Sequence, residues 1–129
     1  MRRLDNFSIS LYFCKMSIYS NLPIYKATYD FVLEIFKTVK NFNREYKYTL
    51  GESIKKEAIE MIADIYRANS SFSKESHLEK AREKIETIRI FFRLARDLRQ
   101  VGLEKFVDTS EKIENISRQI VAWKRSQRN

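Results

Sequence analysis

Four stretches of this chain repeat their apolar residues at alternating steps of three and four, and that period describes helices packed along one stripe. The first stretch reads as a helix over residues 23–41, with Tyr25, Tyr29, Val32, Phe36 and Val39 as its seam. Pro23 suits its first turn, where the missing N–H would have no helical partner anyway. The second has Leu50, Ile54, Ala58, Met61 and Ile65; the third Leu78, Ala81, Ile85, Ile88, Phe92 and Ala95; the fourth Ile113, Ile116, Ile120 and Trp123. Thr49 with Glu52, Ser76 with Glu79 and Asp108 with Glu111 read as reciprocal caps at three helix starts. Gly102 reads as the left-handed residue that closes the third helix. Residues 42–47 and 69–73 are short polar connections, and short connections make sequential helices antiparallel neighbours. The fold class expected is all-α, an antiparallel up-down-up-down four-helix bundle.

The 129 residues suit one domain, and two Gly with one Pro are too few for the turns of an all-β fold. Residues 21–126 hold the helical pattern and residues 127–129 a basic end. Residues 1–20 do not share the period and read as a leader or loose extension. Arg2 and Arg3 ahead of the run from Ile9 to Cys14 invite a signal-peptide reading. That run is short, broken by Ser10 and followed by no small-residue cleavage site, so the reading fails. No stretch approaches the roughly 20 apolar residues of a membrane span. A lone Cys14 cannot form an internal disulfide. A cytoplasmic protein is expected.

Catalytic readings fail on inventory. A bundle di-iron site needs two Glu-x-x-His pairs, and the only histidine is His77. Cys14 has no partner base, and no glycine-rich loop is present to hold a phosphate. Glu57, Glu60 and Asp64 share one side of the second helix, where a solvated or salt-bridged face outweighs a metal site. No enzyme activity, cofactor or metal is expected.

Charge is more informative. The chain carries +8, spread over the helical segments: +2 in residues 24–47, +3 in 73–100 and +2 in 101–129. A basic folded surface attracts polyanions, nucleic acid first among them. Arg82, Arg89, Arg93 and Arg96 recur at helical steps on the third helix, and Lys124, Arg125 and Arg128 make a basic end beyond Trp123. Guanidinium offers paired donors that match phosphate oxygens. The stripe is equally readable as solvated, or as paired with Glu57, Glu60 and Asp64. Ile90, Phe91 and Leu94 widen the apolar arc of the third helix, which means either a wide core stripe or a subunit interface.

Asn21 to Asp30, residues 42–52 and the run Ile65-Tyr-Arg-Ala-Asn-Ser70 resemble the small bundle proteins typified by the accessory variability determinant of diversity-generating retroelements. Arg89-Ile-Phe-Phe-Arg93 is similar to that family's arginine-bearing third helix, and Ile120 to Arg125 to its Trp-containing basic end. The resemblance implies a homo-oligomeric barrel, a pentamer, with a basic surface. It also implies a non-catalytic subunit that binds the element's reverse transcriptase and its template RNA and cDNA in support of error-prone synthesis. It carries nucleic-acid or partner contact to Arg89 and Arg93. Extension to Arg96, Lys124, Arg125 and Arg128 rests on position and charge alone. A sister family, encoded in intervening sequences of large-subunit ribosomal RNA genes, shares the fold and the basic character. Two functional readings stand: the retroelement subunit, and an oligomeric scaffold or general RNA-binding bundle without a reverse transcriptase partner.

Overall fold

The computed structural model describes residues 22–127; the 1–20 extension with Cys14, and Arg128 at the other end, lie outside the described residues. Within them the chain forms α1 (Leu22–Val39), α2 (Arg44–Lys47), α3 (Leu50–Ser70), α4 (Lys74–Asp97) and α5 (Leu103–Ser126). All regular structure among the described residues is helical. The four long helices pack as α1 on α3, α3 on α4, α4 on α5 and α5 on α1. Across α4 and α5 the paired side chains are Glu79 with Lys124, Glu86 with Ser117 and Arg89 with Glu114, so one helix descends as the other rises. At one end, the backbone N–H of Asn43 donates to Gln100 Oε1 at 2.7 Å, tying the turn after α1 to the turn after α4.

The seams of α4 and α5 are buried along their whole expected length, and that of α3 is buried from Ile54 onward. Such side chains contribute about 1.5–3 kcal/mol each for fully buried aliphatics, and set the register of the helices. Helix α1 departs from expectation by one position. Its buried face is Ile24, Thr28, Phe31, Ile35 and Val39, while Tyr29 is 50% and Phe36 40% exposed. Two adjacent apolar stripes run along this helix, and the aromatic one looked stronger because Thr28 interrupts the other. Thr28 is nevertheless fully buried, and the aromatic rings lie on the flank toward α3. There Tyr25 stacks on Tyr29 at 6.4 Å between ring centroids, and Lys55 Nζ sits 5.3 Å above the Phe36 ring.

The expected reciprocal caps do not form. The Thr49 hydroxyl donates to the Glu45 carbonyl at 2.8 Å and caps nothing on α3. Ser76 lies inside α4, which starts at Lys74, and Asp108 lies inside α5, which starts at Leu103. Packing extends α5 backward: Phe106 stacks on Phe92 at 6.3 Å, and that contact needs the earlier turn to be helical. Other groups close the helix ends. Lys74 Nζ donates to the carbonyls of Ala68, Asn69 and Ser71 at 2.8–3.2 Å, satisfying acceptors that the last turn of α3 leaves free.

Helix α4 ends in a Schellman motif, with Gln100 N–H on Ala95 O at 2.9 Å and Arg99 N–H on Arg96 O at 3.0 Å. The left-handed residue of that motif is Arg99, at φ 60, where glycine was expected three positions on. Gly102 is instead extended and precedes α5. A side chain in this conformation costs roughly 1–2 kcal/mol, which the two hydrogen bonds and the docked Gln100 offset. Gly51 has a plainer role. A Cβ there would stand 2.5 Å from Val39 Cγ1, so its absence lets the first turn of α3 lie against the end of α1.

Candidate nucleic-acid interface

The arginines of α4 occupy the flank facing α5, and their surroundings differ sharply. Arg89 donates from Nε to Glu86 Oε2 and from Nη2 to Glu114 Oε2, both at 3.0 Å. The hydrogen bond it donates to Glu86, more than the burial that opposes it, raises the affinity of Arg89 for its proton; the one to Glu114 adds to it. Arg82 is held by Glu79, as is Lys124. These two cations hold the Glu79 carboxyl down at about 2. Arg93 reaches Asp97 only at 3.5 Å and leaves most of its side chain in solvent. Arg96 and Arg125 carry no ion pair among the described residues.

The five expected contact residues that the structure describes are spread along the bundle. Lys124 is level with Glu79 near the start of α4, and Arg125 follows it. Arg96 stands seventeen residues further along that helix, about 25 Å down its axis. Arg89 and Arg93 lie between, and Arg128 is outside the described residues. Pairing of arginines with the acids of α3 takes a different form from the one expected. Asp64, nearly fully buried, accepts from Arg67 Nη1 at 3.1 Å and from Lys84. The partners of Arg89 come from α4 and α5 themselves. A similar cluster ties α5 to α1, where Glu34 takes Lys105 at 2.8 Å and Lys112 at 2.5 Å. Burial pushes Glu34 up, but the two ammonium groups outweigh it and bring its carboxyl below the usual range.

Four unpaired cations gather elsewhere. Lys37, Lys40, Arg44 and Lys47 have no carboxylate partner among the described residues, and they surround the turn that leads from α1 into α3. Arg96 and Arg99 stand at the neighbouring turn, joined to this one by the Asn43–Gln100 bond. Sequence reasoning passed over residues 42–47 as a polar connection. The signal was available: positions 37, 40, 44 and 47 are spaced three, four and three, the same step that drew attention to the α4 arginines.

Exposed apolar side chains form a second surface. Tyr29, Leu33 and Phe36 of α1 face the same flank as Ile59 and Tyr66 of α3, and Phe36 and Ile59 line one depression between the helices. On α4, Ile90 is 66% exposed and Leu94 nearly half, while Phe91 packs against the core. Among the described residues no cluster of histidine, cysteine and carboxylates is placed to hold a metal ion. No described helix is long and apolar enough to cross a membrane. A family model described as bAvd-like matches residues 22–127. No curated protein matches the chain.

Proposed function

The chain belongs to the bAvd-like family, and from that premise we propose that it is a non-catalytic accessory subunit of a diversity-generating retroelement. In this role it binds the reverse transcriptase together with template RNA and cDNA in the cytoplasm and supports mutagenic synthesis. Its helices form an up-down-up-down bundle, and bundles associate into a homo-oligomeric barrel, a pentamer by analogy with the resemblance in the sequence. The observation that carries the reading is the family match over all of the described residues. The unpaired cations on a chain of net charge +8 support it. Among the expected contact residues that the structure describes, Arg93, Arg96 and Arg125 are the ones with guanidinium groups available to phosphate. Arg89 and Lys124 also hold α4 against α5, so any contact they make is shared with that seam.

The exposed strip on α1 and α3, with Ile90 and Leu94 on α4, supports association, because large apolar side chains left in water on several helices favour burial against another copy. One observation favours the second reading, an oligomeric scaffold. Among the described residues ion pairs already engage many of the cations, as a structural role for the charge would have it.

A reconstitution separates the two. The reverse transcriptase of the element to which the proposal assigns the chain is mixed with template RNA, with and without the full chain. The proposal expects co-elution of the chain with the polymerase and cDNA that depends on its presence. No association with polymerase or RNA, in a protein that still assembles, would establish the scaffold instead.

A further inference from the structure

We infer that the groove at the α1–α3 turn is a binding site for single-stranded nucleic acid, with Tyr48 as a platform for a base and Lys37, Lys40 and Lys47 as the phosphate contacts. The inference rests on the nucleic-acid part of the function proposed above and gives that contact a place. The groove is open to solvent and offers about 490 Å³, and these four residues line it together. Its only acid, Glu52, is taken by Lys55 at 2.7 Å, and Lys55 also sits over Phe36. The three remaining lysines therefore face the groove with their charge uncompensated. Tyr48 is 65% exposed, at a position where an aromatic ring gains nothing from the core.

A cationic groove with an unburied aromatic ring fits a single strand better than a duplex. Every unpaired base offers a face that stacks on an aromatic side chain, while the backbone runs past the ammonium groups. A duplex keeps its bases stacked on one another and presents phosphate alone. An acidic protein segment would satisfy the lysines and leave Tyr48 without use. The groove also has a continuation: the Asn43–Gln100 bond brings Arg99 and Arg96 to the same end of the bundle, so a strand leaving it meets two more unpaired guanidinium groups.

The test is a titration of the full chain with a labelled single-stranded oligonucleotide and with a duplex of equal length, at several salt concentrations, beside a sizing measurement. Tyr48→Ala should weaken single-strand binding about tenfold or more, leave duplex binding unchanged, and be rescued by Tyr48→Phe. Replacing Lys37, Lys40 and Lys47 by Gln should shallow the single-strand log K versus log salt slope by about 2. Unchanged single-strand affinity in both variants, with the parent binding well, overturns the groove and leaves the proposed function intact. A parent chain that binds no oligonucleotide at low salt overturns the nucleic-acid reading itself. If Tyr48→Ala lowers the oligomer size without changing affinity per chain, the occupant is a second copy and the inference is wrong. Competition by polyglutamate as strong as by the oligonucleotide would identify an acidic protein and overturn it too.

Discussion

Trp123 and Glu79 show how a single side chain carries the contact between α4 and α5. Trp123 is 7% exposed at the end of the α5 seam, where sequence periodicity put it. Removing so large a buried ring leaves a cavity, and Trp123→Ala should cost about 3–5 kcal/mol in denaturant unfolding; a variant that unfolds with the parent would put the ring on the surface. Glu79 was expected to cap its own helix, yet it binds Arg82 and Lys124. Its carboxyl is depressed to about 2 in the folded chain. A depressed acid contributes stability above its unfolded value, near 4.5, and loses it as pH falls toward 2. The difference in melting temperature between the parent and Glu79→Gln should therefore be largest above pH 5 and shrink steadily down to pH 2. A gap that stays constant with pH would remove Glu79 from the account. Period made the first residue legible, since every seam position of α5 repeats the same burial. Nothing local distinguishes a capping glutamate from one that reaches forty-five residues ahead.

At the scale of the helix, faces were easier to read than ends. The stripes of α3, α4 and α5 came directly from the spacing, because each has one dominant apolar face. In α1 two faces compete, and the choice between them is made by the neighbouring helices, which no spacing within α1 records. Ends depend on what packs there. Phe106 on Phe92 moves the start of α5, and Gly51 against Val39 fixes the start of α3. Gly51→Ala should destabilise the protein by roughly 1–3 kcal/mol, because the added methyl overlaps a branched side chain at the end of α1. Thermal unfolding checks this, and a neutral substitution would mean that α1 and α3 separate at no cost. The same joint shapes the lysine groove. The basic cluster of residues 37–47 was hidden for a related reason: a helix end, a turn and a short helix share one charged face, and reading each element alone divides it.

For the whole molecule, helical class was legible in the apolar period and family membership in the residues that carry the resemblance, whereas the distribution of charge was not. Basic residues that look alike in sequence fall into two groups. Arg89, Lys124 and Lys112 lie against carboxylates across helix seams, while Arg96, Arg125 and the cluster at the α1–α3 turn have no carboxylate partner among the described residues. Only folding decides which cation meets an acid. Exposed apolar side chains on α1, α3 and α4 lead to a second expectation. Light scattering at micromolar concentration should give a mass several times the 15.5 kDa of one chain, and a clean monomer would contradict the barrel.

The central claim is that this bundle holds nucleic acid through the cations its own acids leave free. Anisotropy of a labelled single-stranded RNA, titrated with the full chain across a series of salt concentrations, tests it most directly. Affinity should fall steeply as salt rises, and Arg96→Gln with Arg125→Gln should shallow the logarithmic slope by about 1.4 while assembly persists. No binding at the lowest salt, or a double variant that loses its assembly and keeps its affinity, would contradict the account.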